Sequence, residues 1–282
     1  MSLLGGSDCI LMYHGTPSVD ATALERQLRA LGLARKVVPL AELAQGGPRN
    51  GRARVALTFD DGLRSNVEVA YPILRRLGLT ATFYVCPGLV ESGEWLWNHE
   101  ARERLHTLAP SVLDELARSV GAPIEIEAFV EWLKTLKLAA RKRVEAQIRA
   151  ATPRFKATPE QRAQFDVARW RDLKVLDPRT VTIGSHTMTH PILTSLSPDE
   201  MEIELRDSRE ALEERLARPV RDFCYPNGEL DAGVVDTARR YYGSAVTVES
   251  GSLEGDVDPY RMPRFATHPR FSLRLARRLA FG

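Results

Sequence analysis

Short apolar runs alternate along this chain with longer segments of helical period. "CILMYH", residues 9–14, reads as a buried strand that ends on His14. "ATALERQLRALGL" follows with apolar residues three and four apart and stops near Gly32, as an amphipathic helix does. "RVALTFDDG" is a second strand, ended by Gly62 directly after two adjacent carboxylates, Asp60 and Asp61. "NVEVAYPILRRLGL" reads as a helix with Asn66 at its cap and Gly78 at its end, and "TATFYVCP" as a strand rich in β-formers closed by Pro87. Strand, helix, strand at this spacing predicts parallel pairing.

From about residue 92 to 166 the pattern turns helical, most clearly in "EAFVEWLKTLKLAARKRVEAQIRA", and reads as an insertion on the frame. The alternation then resumes. "TVTIGSH" is a strand, "SPDEMEIELRDSREALEERLA" a helix, "DFCYPNG" a strand running into a turn, "DAGVVDTARRYYG" a helix, "SAVTV" a strand and "YRMPRFATH" a last strand. Ser197 before Pro198, with Asp199 and Glu200 in the first turn, is a strong helix start. The sequence predicts an α/β fold whose functional groups sit at strand C-termini.

The length, 282 residues of which 44% are hydrophobic, allows one α/β barrel or two small domains; we expect a single domain over 1–282 that carries the insertion. A formal net charge of +2 gives no case for nucleic acid as the partner. Cys9, Cys86 and Cys224 lie too far apart for a zinc motif, and so sparse a set argues against a disulfide framework and for a reducing compartment. "MSLLGGSDCILMYHG" has no basic n-region and no run approaches the length of a membrane span, so the expected location is cytoplasmic. In "RFSLRLARRLAF" Phe271, Leu275 and Leu279 share one helical face and Arg270, Arg274 and Arg278 another. A barrel-closing helix is the simplest explanation, and peripheral contact with an anionic membrane the lesser one.

Adjacent carboxylates repel and need a cation, a shared proton or water. A turn in which Asp is simply a common residue would account for Asp60 and Asp61 if the chain offered them no partner. It offers one. His186 and His190 sit in "GSHTMTH" directly after the strand "TVTI". Two histidines four apart are a weak signal alone, but two histidines and a carboxylate make a common catalytic zinc shell. One carboxylate can then ligate, and its neighbour can take a proton from water.

"TFDDG", "SHTMTH" and "FCYPNG", in that order, resemble the motifs of the polysaccharide deacetylases of the NodB-homology type, carbohydrate esterase family four. The resemblance covers most of the chain outside the insertion. It implies a distorted (β/α) barrel, probably of seven strands, and metal-dependent removal of N-acetyl or O-acetyl groups from a sugar. It makes Asp60 the general base, and Asp61, His186 and His190 the ligands of a divalent metal: zinc by default, with iron, cobalt and nickel as alternatives. Tyr225, Pro226 and Asn227 become a groove wall, with the Asn227 N–H as a candidate oxyanion donor. Many members carry Arg where this chain has Cys224, and Arg264 in "MPRF" is the candidate to replace it beside Asp60, weighed evenly against a surface arginine. The acid that protonates the leaving amine is His14 or His268. His14 is favoured, because "LMYHG" resembles the N-terminal "YH" of the poly-N-acetylglucosamine deacetylases.

Leu193 is a candidate for an acetyl-sized pocket, with core packing as the alternative. Trp95 and Trp97 could stack on sugars or pack; Trp132 is expected to pack, and His99 and His106 to be solvated. The insertion lies outside the motifs and is expected to shape or support the groove. Two other activities remain open: a small-molecule amidase or deformylase on the same frame, and a sugar-binding relative without catalysis.

Overall fold

The computed structural model of the chain describes residues 6–46 and 51–270. Elements in chain order are β1 (Cys9–Tyr13), α1 (Ala21–Ala34), β2 (Lys36–Val37), α2 (Leu40–Ala44), β3 (Arg54–Phe59), α3 (Tyr71–Leu77), β4 (Ala81–Val85) and α4 (Pro87–Ser92). The inserted helices are α5 (Trp97–Leu105), α6 (Pro110–Val120), α7 (Ile126–Lys134), α8 (Leu138–Ala151) and α9 (Pro159–Phe165). Then come α10 (Trp170–Lys174), β5 (Val181–Ser185), α11 (Pro198–Leu216), β6 (Asp222–Cys224), α12 (Ala232–Tyr241), β7 (Ser244–Val246) and β8 (Phe265–Ala266).

Seven strands lie side by side in the order β7-β6-β5-β4-β3-β1-β8, with β2 attached to β3, and every pair is parallel. The two ends of this row are linked. Met262, just before β8, bridges Val246 of β7 in parallel, and its amide donates to the Ala245 carbonyl at 3.2 Å. The sheet therefore curls into the distorted (β/α) barrel expected from the motifs. The last strand is shorter than the sequence suggested. Only Phe265 and Ala266 form a ladder, because the chain before them crosses from β7 to β1.

Period-two alternation makes two apolar layers. Leu11 and Tyr13 of β1, Val55, Leu57 and Phe59 of β3, and Phe83 and Val85 of β4 pack against helices through Leu24, Leu28, Leu74, Leu205 and Leu212. Ile10, Ala56, Tyr84, Cys224 and Val246 form the opposite layer, inside the barrel. α11 starts as the sequence predicts: Ser197 accepts from the Glu200 amide and the Glu200 side chain reaches back to the Ser197 amide.

The insertion has its own core, made by Trp97, Leu105, Phe129, Leu133, Val144 and Ile148. Leu63, Cys86, Leu89, Leu96 and Val167 join it to the barrel. No described helix is long and apolar enough to cross a membrane. The amphipathic pattern assigned to residues 271–282 lies outside the described residues.

Candidate active site

The site stands where β1, β3, β5 and β6 end. Along β3 the inner row runs Ala56, Thr58, Asp60; Arg264 Nη1 meets both Thr58 Oγ1, at 2.9 Å, and Asp60 Oδ1, at 2.8 Å. Strict alternation would send Asp61 to the helix side. Instead Asp61 has φ 71° and Gly62 φ 62°, so the chain leaves β3 in a left-handed turn that brings the Asp61 carboxylate back to the site. A backbone turn, and not the alternation of a strand, lets both aspartates serve one centre.

Asp61 Oδ1 lies 3.5 Å from His186 Nε2 and 3.6 Å from His190 Nε2, and all three side chains are buried. His186 Nδ1 is 2.7 Å from the Cys224 carbonyl. A carbonyl only accepts, so Nδ1 carries a proton and Nε2 faces the carboxylate. Nε2 and the carboxylate then share either a second ring proton or a metal ion. Burial and the nearby His186 charge push the His190 pKa down to about 3, so that ring is neutral, as a ligand must be. Burial opposes a charge on His186, but its anionic surroundings outweigh this and raise its proton affinity: the centre draws positive charge. The donor set fits a divalent ion, and the ligand atoms lie within 4.8 Å of one another.

Asp60 is held differently. Arg264 Nη1 and Nη2 meet its two oxygens at 2.8 Å each. Arg264 is fully buried; its Nε donates to the Thr247 carbonyl at 2.8 Å and its Nη2 lies 3.1 Å from Cys224 Sγ. It is no surface arginine. Burial alone would raise the Asp60 pKa, but the charge and hydrogen bonds of Arg264 outweigh it and hold the carboxyl below the usual range. Asn66 does not cap its helix. It lies within a helical turn, and its amide donates to the Asp60 carbonyl at 3.4 Å.

His14 reaches the same centre: its Nε2 is 4.0 Å from Asp60 Oδ2, with half of the side chain exposed. His268 faces elsewhere, 3.8 Å from Asp20 Oδ2. Of the groove-wall candidates, Asn227 takes φ 55° in the turn after β6, and its side-chain nitrogen is buried without a partner among the described residues. Tyr225 does not line a groove; its ring is fully buried against Phe223 and its hydroxyl donates to the Tyr260 carbonyl at 3.0 Å. Pro226 is buried, and Leu193 is fully buried in the main core.

Around the centre, several contacts carried no signal in the sequence. Cys86 Sγ lies 3.0 Å from the His186 carbonyl. Trp97 donates its indole N–H to the His190 carbonyl at 2.9 Å, which ties the insertion to the loop that carries His190. Trp95 packs on Phe165 and donates to Asp166 at 2.8 Å. His99 is half-buried rather than solvated: it packs edge-on against Phe165, and burial lowers its pKa. Each contact joins segments far apart in the chain, so no local pattern announces it.

Residues 47–243 match the family model for polysaccharide deacetylase. The chain belongs to that family. The putative polysaccharide deacetylase YxkH of Bacillus subtilis (strain 168) is 20% identical over 219 residues, which are 77% of this chain and 53% of that protein. The chain thus spans about half the length of this curated relative. Among solved structures, the Streptococcus pyogenes deacetylase PplD in complex with acetate superposes with a TM-score of 0.62 at 19% identity, over 93% of each chain. IcaB from Ammonifex degensii gives 0.59 at 17% identity, over 94% of this chain and 93% of that one. A de-N-acetylase from Aggregatibacter actinomycetemcomitans gives 0.61 at 13%, over 96% and 98%. At these identities the likeness is one of fold. The family takes its name from the removal of acetyl groups from polysaccharides.

Proposed function

We propose that this chain is a metal-dependent deacetylase that hydrolyses the N-acetyl amide of a sugar within a glycan. The observation that carries this reading is the division of labour between neighbours: Asp61 meets His186 and His190, while Asp60 meets Arg264. One carboxylate joins a ligand set; the other is oriented and left ionised.

Asp60 takes a proton from the attacking water. Arg264 fixes the plane of the carboxylate, so that its free lone pairs keep one direction. The same guanidinium weakens Asp60 as a base, which is tolerable only where the water is itself acidic. Asp61, His186 and His190 would hold a divalent ion, which would supply that acidity and polarise the acetyl carbonyl. Zinc is the default for two imidazoles and a carboxylate, and iron, cobalt or nickel suit the same donors. His14, half exposed beside Asp60, is placed to hand a proton to the departing nitrogen. The Asn227 amide is a candidate donor to the developing oxyanion.

The test is acetate release by the metal-loaded protein from N-acetylated and O-acetylated glycans, with formylated sugars and cyclic amides beside them. N-acetyl substrates should be turned over fastest. Turnover confined to the formyl or cyclic amides would replace this reading with an amidase.

A further inference from the structure

The arch between the two histidines is anchored from outside the strands that present them. Thr187 and His190 take left-handed φ values of 67° and 58°. Non-glycine residues keep that conformation only where the surroundings impose it. What imposes it can be read bond by bond. The Thr187 hydroxyl donates to the His186 carbonyl and accepts from the His190 amide at 3.0 Å. The Met188 carbonyl accepts from the Gly88 amide at 3.0 Å, so closely that a methyl group on Gly88 would stand 2.7 Å from that oxygen.

Three more donors of the arch converge on one carboxylate. Glu204 Oε2 accepts from the Met188 amide at 2.8 Å and the Thr189 amide at 3.0 Å, and Oε1 accepts from the Thr189 hydroxyl at 2.6 Å. Glu204 stands on α11, which Leu205 and Leu212 pin to the core. One turn further along the helix, Ser208 Oγ lies 2.7 Å from Ser185 Oγ, on the residue before His186. The helix thus grips the segment on both sides of the first histidine.

The geometry points to Glu204 as a positioning residue of the metal centre: it holds the Thr187–His190 arch so that both imidazole Nε2 atoms face Asp61. The inference rests on the reading that Asp61, His186 and His190 hold a divalent ion. A carboxylate that only secures a surface loop would stabilise the fold and leave the ligand geometry alone, so the two roles separate in measurement. Glu204→Ala removes all three acceptor contacts. Glu204→Asp keeps the charge but withdraws it by one methylene. Glu204→Gln can keep an oxygen on the two amides and turn its NH2 to the Thr189 hydroxyl.

The experiment is a Co(II) titration, read in the visible absorption of the ion, on the full chain and the three variants, with the thermal midpoint of each metal-free protein alongside. Glu204→Ala and Glu204→Asp should bind Co(II) about 10- to 100-fold more weakly, the usual effect of removing a group that orients a ligand. Glu204→Gln should recover affinity to near the wild-type value. Should Glu204→Ala fail to fold, the Asp and Gln variants carry the same comparison. Wild-type affinity in the Ala and Asp variants, with only the thermal midpoint lowered, overturns the positioning role. So does a Gln variant as impaired as Ala, because charge would then matter and geometry would not. Wild-type protein that binds no more Co(II) than His186→Ala would remove the metal centre itself, a failure distinct from normal binding that ignores Glu204.

Discussion

Arg264 grips Asp60 through two parallel hydrogen bonds of 2.8 Å, and the guanidinium is fully buried. Breaking such a pair strands a charge away from water, which costs about 3–5 kcal/mol. Arg264→Met should lose stability of that order in denaturant unfolding at neutral pH. The loss should shrink in acid. The Asp60 pKa is depressed in the folded chain, so its contribution is present above the unfolded carboxyl value of about 3.9 and fades as pH falls through the lower folded value. In the variant the Asp60 pKa rises, so the acid limb of any activity profile should move to higher pH. A stability gap that stays constant from neutral pH to below 3.9 or so would refute the pairing argument.

Asp60→Asn should keep its metal and lose about a hundred- to ten-thousand-fold in rate, the range for removing a general base. Metal content by elemental analysis and acetate release, measured on one preparation, decide it. An Asn variant emptied of metal would mean that the two aspartates have exchanged roles.

Asp61→Ala, His186→Ala and His190→Ala should each strip most of the bound metal, since each removes one of three donors grouped within 4.8 Å. Full occupancy in any two of them would dissolve the assigned ligand set.

The acid is tested by leaving group. A poor leaving amine needs a proton in the transition state and an activated phenol largely does not. His14→Ala should therefore slow amide cleavage far more than cleavage of an activated aryl acetate, with metal content unchanged. His268→Ala should be mild, because His268 faces Asp20. The reverse pattern would move the acid to the C-terminal end.

Trp97 connects the insertion to the chemistry. Its indole donates to the His190 carbonyl at 2.9 Å, and the Arg141 guanidinium lies over its ring at 4.3 Å. Trp97→Phe keeps a ring in place and leaves a buried acceptor unpaired, at about 1–3 kcal/mol. Unfolding midpoint and metal retention should both fall. Unchanged metal retention would show that the insertion merely sits beside the centre.

The sequence by itself determined the strand and helix alternation and the start of α11 at Ser197, because hydrophobic period and capping chemistry are local. It also marked Asp60, Asp61, His186 and His190, since ligands and bases need particular side chains at strand ends and their types are written in the chain. Tertiary structure alone decided which way each one faces and what stands behind it. The left-handed Asp61 that brings two neighbours to one centre depends on the turn after β3. The choice of His14 over His268 beside Asp60 depends on which strand ends the barrel brings together. Arg264 could be named as a candidate from sequence, but its burial against Asp60 rests on the β7-to-β1 crossing that delivers it from 204 residues away. The partners of Glu204, Asn66 and Trp97 were illegible for the same reason. A carboxylate, an amide and an indole on helices have no local period that betrays a distant partner, and only packing brings the partner within hydrogen-bond range.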